Sequence, residues 1–225
     1  MSCWLTSKLP KGMLVRDNKS CITDCILQRN RGLIMIRHLL SLVSVLIAAL
    51  ALEVSAQDAP ETISVISSTF DHHGMVPEVN SAYGDNVSVD LRWANLPEGT
   101  QQLALICDDP IVVEIGMMEQ PFVHWVIYNI PATAPGLPAG LPDDAQLDVA
   151  GLQGAVNGLN GLRRPGYFGP RPPANGQLHA YHFRVYALNE SLDLAPGLGK
   201  AELLTAMDGH ILATGMLMGH YERKE

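Results

Sequence analysis

Two histidines, a tyrosine and an aspartate are the residues of this chain best suited to chemistry. The segment 166–183 reads Gly-Tyr-Phe-Gly-Pro-Arg-Pro-Pro-Ala-Asn-Gly-Gln-Leu-His-Ala-Tyr-His-Phe. Pro170, Pro172 and Pro173 fix φ and remove backbone donors, so its first half is a stiff loop. From Leu178 the pattern becomes that of a strand, in which side chains alternate between faces. His179, Tyr181 and Phe183 therefore share one face. Imidazole N–H and phenol O–H groups donate to anion oxygens. A rigid loop that delivers both to a strand start points to a small binding site.

Two further candidates lie upstream. Gln102-Leu-Ala-Leu-Ile-Cys107 is a mostly apolar run that ends at Asp108-Asp109-Pro110. Leu103, Leu105, Cys107 and Asp109 share a face, so an apolar face ends in a carboxylate. By position alone, Asp109 is either a strand-end turn residue or a functional group. Pro121–Pro131 is the strongest strand pattern of the chain and is expected to be central. Its alternation puts Phe122, His124, Val126 and Tyr128 on one face and Val123, Trp125 and Ile127 on the other. Taken alone, His124 reads as a core imidazole satisfied by one hydrogen bond.

Several other elements must position these groups. Ile63–Phe70 and Asn86–Trp93 read as strands. Asp71-His72-His73-Gly74 is a solvated turn in preference to a metal site, because strand neighbours point apart. The Pro/Gly-rich stretch 132–164 lacks a period and is expected to pack over the sheet. Lys200–Ala213 carries Leu203, Met207 and Ile211 at helical spacing and reads as one amphipathic helix, weakened at Gly209. Thr214–Tyr221 can form a last strand, with its methionines as core filling. The expectation is a mainly β domain of two packed sheets, an antiparallel β-sandwich with a peripheral C-terminal helix.

Not all of the chain belongs to that domain. Met35–Ala56 has a basic start at Arg37, a largely apolar run over Leu39–Leu52 and a small-residue end at Val54-Ser55-Ala56. It reads as a signal peptide cleaved after Ala56, which makes the protein secreted or periplasmic with no membrane span after processing. Residues 1–34 then read as a mis-assigned upstream extension. The alternative is a long cytosolic tail before an uncleaved anchor. Residues 57–225 form a single domain. They hold 8 basic and 20 acidic residues, a net charge of −12, which argues against nucleic acid as a partner. Cys107 is the one cysteine of this region, so it has no internal disulfide and no cysteine zinc pattern, and no metal or cofactor is expected.

An ordered set of short motifs adds a family resemblance. Asp108-Asp-Pro110, Phe122-Val-His-Trp125, Gly169-Pro-Arg-Pro-Pro173, His179-Ala-Tyr-His-Phe183, Gly209-His-Ile-Leu-Ala213 and Gly219-His-Tyr221 occur in that order. Over about 63–223 the chain resembles the phosphatidylethanolamine-binding protein family, in its bacterial Raf kinase inhibitor-like branch. The resemblance implies a β-sandwich with a small pocket for phosphate, acetate or phosphoryl headgroups. It implies pocket residues Asp109, His124, Pro173, His179 and Tyr181, with the Gly169 loop as a wall. Arg171 either adds a fixed positive charge beside the anion or is an exposed loop residue. Ile111 and Val113 stand where the family has Asp and Pro, which leaves the mouth less polar. Ala180 stands where the family has Arg.

The leading expectation is a non-enzymatic protein that binds a small phosphorylated or carboxylate ligand. A second is an inhibitor that docks on a protease, or on a kinase as relatives do. A third, weaker, is a hydrolase using the His/Asp pair, for which no motif supplies a nucleophile. A homodimer is compatible with the sequence.

Overall fold

The computed structural model describes residues 62–223. The signal segment 35–56 and the extension 1–34 lie outside these residues. The described chain is mainly β, in a six-stranded and a three-stranded sheet. In chain order the elements are β1 Ser64–Ile66, β2 Gly74–Met75, a 3-10 turn Glu78–Asn80, β3 Leu91–Ala94, β4 Gln102–Asp109, α1 Ile111–Glu114, β5 Phe122–Pro131, β6 Gly136–Leu137, β7 Val156–Asn157, β8 His179–Leu188, α2 Lys200–Met207 and β9 Ile211–Tyr221. The large sheet has the order β2-β9-β8-β4-β5-β7 and the small one β1-β3-β6. All pairings are antiparallel except β2 with β9.

Alternation along β4 and β8 feeds two cores. Leu103, Leu105, Cys107, Tyr181, Phe183 and Val185 pack inward with Val65, Leu91 and Trp93 of the small sheet. Ala104, Ile106, Val126 and Tyr186 pack outward, beneath Leu203 and Met207 of α2. Trp125 and Phe183 are fully buried, and each such side chain contributes about 1.5–3 kcal/mol of burial. The 132–164 segment does pack over the sheet. Its Leu141, Leu147, Leu152 and Ala155 enter the inner core, and Asn157 pins it by donating to the Pro142 and Asp144 carbonyls at 2.9 and 2.8 Å.

Five expectations need correction. The strands expected at Ile63–Phe70 and Asn86–Trp93 shrink to Ser64–Ile66 and Leu91–Ala94, because the Asp90 carboxylate draws Ser67, Ser68 and Thr69 into local hydrogen bonds. The expected central strand β5 lies beside the two-residue edge strand β7, and β4 and β8 occupy the middle. The helix stops at Met207, since Gly209 takes a left-handed φ of 76°, and Ile211–Ala213 begin β9. Met216 and Met218 do not fill the core. They sit half-buried on the outer face, where the Arg184 guanidinium donates to Met216 Sδ at 3.3 Å.

The fifth correction shapes the site. Cys107 faces Trp125 and Asp108 faces Val123, so β5 carries His124 as an extra residue. This is a β-bulge, which bends a strand and re-aims a side chain. Val123 packs with the outer cluster and Trp125 with the inner one. His124 lies on the inner side as well, its ring 4.9 Å from that of Tyr181. A second register shift falls between Leu103 and Leu105, opposite Asn129 with its φ of 55°. Simple alternation along Phe122–Tyr128 is therefore broken.

Candidate functional site

Antiparallel pairing of β4 with β8 sets Cys107 opposite Phe183 and brings the end of one strand to the start of the other. Asp109 thus meets His179. Asp109 is 2 % exposed and His179 1 %. Asp109 Oδ1 accepts the Ile111 N–H at 2.9 Å, which opens the short helix α1. Its Oδ2 accepts from His179 Nδ1 at 2.6 Å. The opposite ring nitrogen, Nε2, is buried and has no partner among the described residues. An orphaned buried polar atom of this kind calls for an explanation.

His124 has the same tautomer for a different reason. Its Nδ1 lies 2.6 Å from the Phe168 carbonyl oxygen, and a carbonyl can only accept, so Nδ1 carries the proton. The ring is enclosed by Phe122, Phe168 and Tyr181, with centroids at 4.8, 5.9 and 4.9 Å. Burial pushes the imidazole down from its ordinary 6.5 to about 4, against the smaller opposing effects of the Phe168 carbonyl and the Asp109 charge. His124 is thus neutral at pH 7. For Tyr181, burial and then the Asp109 charge push the phenol well up, so it keeps its proton.

The Pro-rich loop closes the site. Tyr83 donates to the Pro172 carbonyl at 2.6 Å, and Ala82 to that of Pro170 at 3.0 Å. Arg171 is exposed, with its Cζ 5.9 Å from the Tyr83 ring centroid. Together these elements surround a cavity of about 260 Å³. Six of the seven residues expected from sequence line it: Asp109, His124, Arg171, Pro173, His179 and Tyr181. Gly169 does not. It is buried behind the loop, where a Cβ would run into the Asn80 carbonyl, and its N–H donates to Asn86 Oδ1 at 2.8 Å. It shapes the wall from the rear.

The apolar walls were missed from sequence. Val112, Met117, Met118, Phe122, Leu162 and Phe168 line the same cavity. Their one sequence signal was the loss of a carboxylate at Ile111. Met117, Met118 and Leu162 remain about half exposed and form an apolar rim. A larger hollow of about 540 Å³ lies by Arg163 and Lys200, but Lys200 is already paired with Asp108 and the hollow contains none of the four polar groups above. Asp109, His124, His179 and Tyr181 are gathered in the smaller cavity.

Residues 66–222 match the family model described as phosphatidylethanolamine-binding protein. The chain belongs to that family. Relatives support the assignment. The UPF0098 protein of Methanothermobacter thermautotrophicus is 40 % identical over 154 residues, 68 % of this chain and 95 % of the relative. A solved phosphatidylethanolamine-binding protein homologue from Chlamydia trachomatis is 35 % identical, with a TM-score of 0.60, over 72 % of this chain and 99 % of that one. Escherichia coli YbcL, described as a member of the mammalian family, is 27 % identical with a TM-score of 0.63 over the same shares. Within this family fold, the present chain combines a buried Asp109–His179 pair with an apolar rim at the mouth.

Proposed function

We propose that this phosphatidylethanolamine-binding protein family member is a non-enzymatic, secreted or periplasmic protein that holds a small anionic group in the Asp109/His124/His179/Tyr181 cavity. The observation that carries this reading is the orphaned His179 Nε2. With Nδ1–H committed to Asp109, the buried, unpartnered Nε2 is the ring atom left to meet a phosphoryl or carboxylate oxygen, as a donor when the ring is protonated. Tyr181 adds a neutral donor, and the exposed Arg171 lines the mouth. The cavity, about 260 Å³, has room for a phosphoryl headgroup.

Catalysis is disfavoured by the composition of the lining. The residues around the cavity include no Ser, Thr or Cys to act as a nucleophile. Cys107 is fully buried, and burial pushes its thiol well up. The secreted location rests on the Met35–Ala56 pattern. A second reading, docking on a protein such as a protease, is favoured by the exposed Met117, Met118 and Leu162 around the mouth.

Titration calorimetry of phosphate and phosphoethanolamine into the wild type and His179→Ala tests the anion reading. Saturable heat for the wild type and none for the variant is expected. Equal heats for both proteins would sink it.

A further inference from the structure

The two histidines of the cavity both carry a proton on Nδ1 but rest on different partners. Both hold Nδ1–H against an oxygen at 2.6 Å and have Nε2 left to offer. His179 rests on a carboxylate, which balances a positive ring. His124 rests on a neutral carbonyl and is 4 % exposed among three aromatic rings. The charged or titratable groups around it are Asp109 and His179 from β4 and β8, Tyr181 from β8, Arg171 from the loop and, farther along β4, Asp108, which is paired with Lys200. Asp109 is already committed to His179 and the Ile111 N–H, and Arg171 is exposed at the rim. His124 has no counter-ion of its own, and a neutral ring with its proton on Nδ1 presents Nε2 as a bare acceptor.

The Asp109 carboxylate balances a protonated His179, whose Nε2–H makes that side of the cavity the donor side, and His124 Nε2 is the acceptor side. We infer that it selects an anion that still carries a proton, the monoanion of a phosphomonoester or of inorganic phosphate, over a fully ionised phosphate or a phosphodiester. In this arrangement a P–O⁻ oxygen accepts from His179 Nε2–H and the P–OH donates to His124 Nε2. The charges agree. A protonated His179 cancels Asp109, so a monoanion leaves one negative charge for Arg171 at the mouth, whereas a dianion leaves a second charge unmatched in an apolar enclosure. A diester has no proton to give and sets an oxygen lone pair against that of Nε2. A buried acceptor without a donor weakens binding roughly tenfold to a hundredfold. This inference rests on the anion-binding reading and sharpens it to a ligand class.

The test needs only the wild-type protein and three probes across pH 5 to 9: phosphoethanolamine, inorganic phosphate and dimethyl phosphate, with binding read by calorimetry. The second ionisation of a phosphomonoester lies at about 6, and that of inorganic phosphate lies higher. Affinity for each should fall about tenfold per pH unit above the ligand's own second pKa, so the midpoint moves with the ligand. Dimethyl phosphate should bind at least tenfold more weakly at the acid end. A common midpoint for both monoesterified and inorganic phosphate, or a diester that binds as well as they do, would overturn the inference and leave the anion reading standing. Absence of heat from all three would overturn both.

Discussion

His124 and Phe168 are bonded to each other twice. The His124 ring donates from Nδ1 to the Phe168 carbonyl at 2.6 Å, and the Phe168 N–H donates to the His124 carbonyl at 2.9 Å. The double link fastens the Pro-rich loop to β5 at the bulge and makes one residue both hinge pin and cavity wall.

That link predicts an acid-sensitive fold. The unfolded chain protonates His124 near 6.5, whereas the folded chain resists until about 4. As pH falls through this window the unfolded state binds the proton first, so stability is lost on acidification and is fully present above 6.5. The contribution is on the order of 2–3 kcal/mol. His124→Gln retains an N–H for the Phe168 carbonyl and removes the titration. Urea unfolding at pH 7 and pH 4 should show a smaller difference for the variant than for the wild type. Parallel pH profiles would refute the assignment.

Gly169 makes a different prediction, because its role is steric. A Cβ there runs into the Asn80 carbonyl oxygen and comes within 2.9 Å of Ser81 Cα, both backbone groups that cannot rotate away. Gly169→Ala should destabilise the protein by about 1–3 kcal/mol through overpacking. The loop must shift outward, and with it the carbonyl that orients His124. Anion affinity should fall along with stability, although Gly169 does not line the cavity. A stable variant with unchanged binding would show that the loop has more slack than the contacts allow.

How much of this was legible in the chain depends on where periodicity survives. Along β4 and β8 the period of 2 is unbroken toward the site, so Asp109, His179 and Tyr181 could be placed on inward faces from sequence. Along β5 it fails, because the bulge inserts His124 without any glycine or proline to mark it. His124 was identifiable as a candidate through the order of motifs, but alternation set it on the face of Val126 and Tyr128, whereas it lies inward with Trp125 and Ile127. The helix boundary failed for a local reason. Ile211 continues the helical spacing of Leu203 and Met207, and only the left-handed φ of Gly209 says otherwise. The Met117 and Met118 wall comes from an exposed segment after α1 with no period at all, and its role follows from tertiary placement alone.

Arg171 tests whether a charge at the rim contributes to binding. It is exposed, so its attraction for an anion is screened, and removal should weaken phosphate binding by about fivefold or less. Arg171→Ala should also flatten the salt dependence of affinity, since screening acts on this charge more than on the buried pair. Stability should change by no more than about 0.5 kcal/mol. Arg171→Lys keeps the charge and loses the planar contact with Tyr83, so recovery by Lys would assign the effect to charge. Wild-type affinity and salt slope in Arg171→Ala would make it an ordinary loop residue.

Asp109→Asn separates orientation from charge at the centre of the site. The asparagine Oδ1 can still accept the Ile111 N–H, but its amide presents a donor where His179 Nδ1 now donates. His179 must leave Nδ1 bare to accept from that amide, with its proton on Nε2. Loss of a buried charged partner should cost about 2–4 kcal/mol in urea unfolding. The neutral ring still offers Nε2–H to the cavity, so anion binding should weaken without vanishing. The expected order of affinity is wild type, then Asp109→Asn, then His179→Ala. Nitrogen chemical shifts of His179 report the tautomer directly and should show the proton on Nε2 in the variant. If the variant binds phosphate as the wild type does and retains its Nδ1 proton, Asp109 does not govern the histidine, and the pair is a structural contact alone.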